Sequence, residues 1–199
     1  MPKIFHSGPQ IVENPDLTIR NKYPKDFGWG FYCTRNETQA KIWALRARKR
    51  QGTGFVNYYE FNEDGAKTIL RDGYLRLDIT RDRRRQITDP ASNQWLKFIV
   101  NCRRHKDIGS MPHDYDIVEG PMADDKVWEY INDYLKYLED LEKGAKNPSG
   151  LSIEEFWKKA TFNTITNQIC FHTPRSLKFI KFVGALELNN KNQRNIAKR

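Results

Sequence analysis

A chain of 199 residues with 38% hydrophobic content suits one domain, and its five Trp, nine Tyr and eleven Phe must supply much of the core. No apolar run is long enough to span a bilayer, no secretory apolar stretch follows Met1, and Cys33, Cys102 and Cys170 form no CxxC pair. We therefore expect no membrane span, no disulfide framework, no metal and a cytoplasmic setting.

Taken in chain order, residues 3–6 read as a short strand, and residues 8–27, with Pro9, Pro15 and Pro24, as an irregular loop. Phe31-Tyr32-Cys33 reads as a strand. Thr34 and Glu37 have the spacing of a capping box, opening a helix that carries Ala40, Trp43, Ala44 and Ala47 and stops at Gly52 and Gly54. Aromatic content marks residues 55–61 as a strand, and 68–70 and 74–79 read as further strand or turn. Asp89-Pro90 starts a helix with Trp95, Phe98, Ile99 and Cys102 on its buried face. Residues 115–119 form a strand ending at Gly120-Pro121. Val127, Ile131, Tyr134, Leu138 and Leu141 give residues 124–144 a helical period. Ser152 and Glu155 make a second capping box, and residues 164–172 and 179–188 read as two late strands. Strands and helices interleave without a βαβ rhythm, so the expected class is α+β, with one domain over 1–190 and a basic, flexible tail over 191–199.

Three pieces carry the chemistry. Lys3-Ile4-Phe5-His6-Ser7-Gly8 ends a strand in a His and a Gly. Gly28-Trp29-Gly30-Phe31-Tyr32-Cys33-Thr34 sets two glycines before an aromatic strand, with Trp43 coming on the next helix. Asn167-Gln168-Ile169-Cys170-Phe171-His172 lies far downstream. Glycines allow close backbone approach, and rings on a strand and a helix suit a flat heterocycle held between them.

Together these pieces resemble the NAD-binding core of the ADP-ribosyltransferase superfamily, in its diphtheria-toxin and poly(ADP-ribose)-polymerase branch. The resemblance covers residues 3 to about 183 and extends to a family of uncharacterised bacterial and phage-borne proteins grouped with those enzymes. It implies a split β-sheet core with helical insertions and NAD as co-substrate. It implies that His6 hydrogen-bonds a ribose hydroxyl, that the Ser7 and Gly8 backbone grips the nicotinamide amide, and that Tyr32 and Trp43 stack on the ring. Gly30 and Thr34 would complete the cofactor contacts. Gln168 stands where the polymerising relatives carry Glu, which implies transfer of a single ADP-ribose. Asp124 or Asp125, at a helix start, is the candidate for supplying the missing charge.

The charge of +9 gathers in blocks, among them Arg46, Lys49 and Arg50, then Arg83, Arg84 and Arg85, and a positive surface favours polyanions. The expected activity is thus NAD-dependent mono-ADP-ribosylation of RNA or DNA, with a protein acceptor or a non-catalytic NAD- or nucleic-acid-binding module as alternatives. No Glu-x-Glu motif lies near Gln168, which argues against an arginine acceptor. The resemblance further implies a toxin or defence effector with an antitoxin or chaperone partner.

Overall fold

The computed structural model describes residues 1–19, 23–80, 82–107, 109–123, 125–160 and 166–188; the side chains of Arg83, Arg84 and Asp125, like the basic tail, lie outside the described residues. Within them the expected α+β class is seen as one seven-stranded mixed sheet. Its strands are β1 (Lys3–Gly8), β2 (Phe31–Thr34), β3 (Phe55–Phe61), β4 (Tyr74–Arg76), β5 (Ile117–Pro121), β6 (Asn167–Phe171) and β7 (Ile180–Glu187), in the spatial order β4-β5-β6-β2-β1-β3-β7. Among the described residues β4 and β5 form the one parallel pair, and the other neighbouring strands pair antiparallel.

The helices are α1 (Glu37–Gln51), α2 (Glu63–Leu70), α3 (Arg83–Gln86), α4 (Pro90–Arg104), α5 (Asp125–Glu142), α6 (Ile153–Lys159) and α7 (Pro174–Leu177). Strand alternation sorts the core into two faces. Phe31, Cys33, Ile169 and Phe171 join Ile4, Tyr59 and Phe61 on one face, under Ala66 and Leu70 of α2. Tyr32, Val118 and Cys170 point the other way, into Trp95 and Ile99 of α4, Val127 and Ile131 of α5, and Phe156 and Trp157 of α6. Helix α1 buries Ala40 and Ala44 against Phe5 and Val56.

Several local expectations change. The N-cap of α1 is Asn36, which accepts from Gln39 N–H at 3.1 Å; Thr34 instead donates to the Asn167 carbonyl at 3.1 Å, tying β2 to β6. Residues 68–70 are helix rather than strand. Asn62 caps α2 by accepting from Gly65 N–H, Glu63 pairs with Lys67 one turn on, and Ala66 and Leu70 face the core. Strand β4 stops at Arg76, and α3 and α7 are additional. The expected caps at Asp89 and Ser152 are present, the latter as a reciprocal capping box. Residues 164–165 of the expected late strand lie outside the described residues. No described helix is long and apolar enough to cross a membrane.

The centre of the sheet carries one irregularity. Strand β1 pairs with β3 over six residues, Lys3 to Gly8, but meets β2 at the single pair Phe5–Thr34. Beyond that pair the ladder between the two strands ends, and the His6 ring reaches across to the Tyr32 carbonyl of β2.

A candidate ligand cleft between β1, β2 and helix α1

A cleft of about 470 Å³ opens beside His6. Strand β1 contributes His6, Ser7 and Gly8, and β2 contributes Tyr32. From α1 come Trp43, Arg46 and Arg50, from β6 Gln168, from α4 Arg103, and from the loop before β2 Lys25 and Asp26. Residues from opposite ends of the chain thus share one concave surface, the usual form of a small-molecule site.

The state of His6 is set by its partners. Its Nδ1 lies 2.8 Å from the Tyr32 carbonyl, which can only accept, so Nδ1 carries the proton and Nε2 is the acceptor. The ring stacks on Phe31 with centroids 4.4 Å apart. Burial, reinforced by the nearby Lys25 charge and opposed by the hydrogen bond to Tyr32, brings its pKa down to about 4. At neutral pH His6 is therefore an uncharged, oriented acceptor.

Tyr32 is buried, and its hydroxyl donates to the Gly28 carbonyl at 2.7 Å while accepting from Phe27 N–H at 3.0 Å. Burial pushes the phenol well above its ordinary range. The hydroxyl is thus committed to the loop, and the ring is what Tyr32 offers the cleft. Lys25 extends its ammonium over that ring, 4.9 Å from the centroid. The protein bulk at the cleft mouth lowers the Lys25 pKa although the residue keeps exposed surface.

At the far end, Gln168 is buried and donates from Nε2 to Asp26 Oδ2 at 2.9 Å. A carboxylate accepts only, so the amide is fixed with Oε1 free to accept. The buried Asp26 carboxylate also accepts from Ala123 N–H at 3.1 Å and from the Arg103 guanidinium. The acid beside Gln168 is therefore Asp26; Asp124 and the Asp125 side chain lie outside the described residues.

Other expected site residues have different work. Gly30 sits against β6, where a Cβ would come within 2.5 Å of Cys170 Sγ and 2.6 Å of the Phe171 carbonyl, so it serves sheet packing. Gly28, at φ +84°, makes the turn that receives the Tyr32 hydroxyl. Thr34 is spent on β6 through its bond to Asn167. The Ser7 hydroxyl donates to the Ala40 carbonyl at 2.7 Å, fastening β1 to α1. Arg46 and Arg50, expected on a nucleic-acid surface, line the cleft itself. Lys49 lies outside that lining, in the last turn of α1, where cations favour the helix C-terminus. Arg85 is exposed with Asp82 3.8 Å away, and the Arg83 and Arg84 side chains lie outside the described residues.

Sequence reasoning missed Lys25, Asp26 and Arg103. The signal for the first two was a Lys-Asp pair directly before Phe27-Gly28, and for the third a block of cations ending an amphipathic helix. Among the described residues no group of three or more His, Cys, Asp or Glu is placed to hold a metal ion.

A family model described as "Protein of unknown function (DUF3990)" matches residues 2–182. No curated protein and no solved structure matches the chain.

Proposed function

Because the chain belongs to the DUF3990 family of proteins of unknown function, its activity has to be read from the cleft, and we propose that it is an NAD-dependent mono-ADP-ribosyltransferase acting on nucleic acid. The observation that carries the reading is the convergence of His6, Tyr32, Trp43 and Gln168 on one cleft, at a place where the ladder between β1 and β2 ends.

Each residue then has a definable task. The His6 Nε2 accepts from a hydroxyl of the adenosine ribose, and the Tyr32 and Trp43 rings flank the nicotinamide. Arg46 and Arg50 supply cations for the pyrophosphate. The Gln168 Oε1 accepts from a hydroxyl of the nicotinamide ribose. The bond between ribose C1′ and the nicotinamide nitrogen breaks with its electron pair on nicotinamide, which leaves neutral. The positive charge that develops on the ribose lies near the Asp26 carboxylate, a preorganised anion held by three hydrogen-bond donors. An acceptor nitrogen then bonds to C1′ and gives its proton to solvent.

A carboxylate one hydrogen bond behind Gln168, rather than at position 168, stabilises charge without itself activating a ribose hydroxyl for chain growth. That supports transfer of a single unit. The net charge of +9 supports a polyanionic acceptor. In a cell, such an activity would suit a toxin or defence effector restrained by an antitoxin or chaperone.

The test is titration calorimetry with NAD together with a nicotinamide-release assay, with and without total RNA. Binding with release that RNA accelerates is the expected result. Binding without release under any condition would leave a non-catalytic NAD module. No binding would remove the reading.

A further inference from the structure

A second hollow, of about 490 Å³, lies on the other side of Arg103. Its walls include Tyr23, Trp29, Trp128, His105, Lys106 and Arg103 itself. No carboxylate lines it among the described residues. We propose that this hollow is the acceptor site, and that it takes one base of a single-stranded nucleic acid; the proposal rests on the donor-cleft reading and deepens it.

Three observations support the assignment. The first is composition, since three aromatic side chains and three basic ones meet in one concavity. Tyr23 keeps 68% of its surface exposed, so its ring is open to a ligand from solvent. A base has a π face for such rings, and its flanking phosphates have Lys106 and His105 at the rim. A cationic peptide side chain would instead meet like charge with no acid to receive it.

The second is Arg103. Its guanidinium lies over the Trp128 ring, 3.9 Å from the centroid, so arginine and indole form a cation–π stack whose outer faces can take a further planar group. Its terminal nitrogens are used, one on the Pro24 carbonyl at 3.3 Å and one on Asp26, but its Nε is buried with no partner among the described residues.

The third is placement. Arg103 lines both hollows and holds the carboxylate bonded to Gln168. A base on the Trp128–Arg103 stack is therefore one side chain away from the end of the donor cleft where the ribose cation forms. Its nitrogen lone pair makes the bond to C1′, nicotinamide departs with the pair from the broken bond, and the proton on the attacking nitrogen passes to solvent.

The experiment uses the full chain and a fluorescent ten-nucleotide single-stranded RNA of mixed sequence, read by anisotropy without NAD, with NAD affinity measured separately by calorimetry. Tyr23→Ala and Trp128→Leu should each weaken RNA binding about tenfold, as expected for loss of a stacked ring. Trp128→Phe should retain most of the affinity, and Tyr23→Ala should leave NAD affinity unchanged. Tyr23→Ala at an exposed ring keeps the test valid if Trp128→Leu fails to fold. RNA affinity unaltered by Tyr23→Ala and Trp128→Leu overturns the proposal, as does label from NAD appearing on protein alone. Because the anisotropy arm contains no NAD, failure of the donor reading shows separately, as absent calorimetric binding alongside an RNA response that still tracks substitutions in the hollow.

Discussion

Gln168 and Asp26 stand 142 residues apart in sequence and share a 2.9 Å hydrogen bond at the floor of the cleft. The contact divides between two side chains what one carboxylate would otherwise do: Gln168 presents a neutral acceptor and Asp26 holds the charge behind it. Asp26→Asn preserves shape while removing that charge, so nicotinamide release should fall about 10²- to 10³-fold with NAD affinity little changed. A release rate equal to wild type would remove Asp26 from the chemistry.

The same pair makes the effect of Gln168→Glu predictable in sign. Two carboxylates at hydrogen-bond distance cannot both ionise freely, so one of them is pushed above its ordinary range in the folded state. In the unfolded chain it titrates normally. Above that normal value the folded variant binds more protons than the unfolded one, and its stability relative to wild type declines as pH rises. Thermal denaturation of variant and wild type at pH 5 and pH 8 should show the deficit widening at the higher pH.

The histidines give a pH dependence of their own. Burial brings His6 to about 4 and His172, whose Nδ1 donates to the Trp29 carbonyl, to about 3, both below the unfolded value near 6.5. Between those limits the unfolded chain binds more protons than the folded one. The stability held by the neutral rings is complete above pH 6.5 and drains away as pH falls toward 4 and then 3. The drop in melting temperature from pH 7 to pH 4.5 should therefore be smaller in His6→Gln and His172→Gln than in wild type. An identical drop would mean that both rings are reached by water.

How much of this was legible in the sequence depends on range. The helix around Val127 and Ile131, the caps at Asp89 and Ser152, and the aromatic strand at Phe55–Phe61 are written locally, in period, cap and propensity. Helix α2 was hidden because Gly65 interrupts its short pattern, while its signature, the Asn62 cap and the Glu63–Lys67 pair, lies in polar residues. At the site, motif order singled out His6, Tyr32, Trp43 and Gln168, which do share a cleft. It also singled out Gly30 and Thr34, whose neighbours on β6 are more than 130 residues away in sequence, so no local reading reveals that packing claims them. Asp26 was missed for the same reason: within its loop it is one acid among several polar residues, and only the fold brings Gln168, Ala123 and Arg103 to it.

Tyr32 separates the structural role of its hydroxyl from the binding role of its ring. Tyr32→Phe removes the donor to the Gly28 carbonyl and the acceptor for Phe27 N–H, leaving both buried groups without that partner. The Gly28 carbonyl keeps its bond from Lys25 N–H, but the Phe27 N–H left without an acceptor costs on the order of 1–3 kcal/mol, so chemical denaturation should report a fall in stability. The ring remains in the wall of the cleft, and NAD affinity should stay within a few fold of wild type. Tyr32→Ala removes the stacking surface as well and should lower NAD affinity by at least tenfold. Were Tyr32→Phe to cost as much affinity as Tyr32→Ala, the hydroxyl rather than the ring would be what the ligand meets, and the commitment of that hydroxyl to the Phe27–Gly28 turn would have to break on binding.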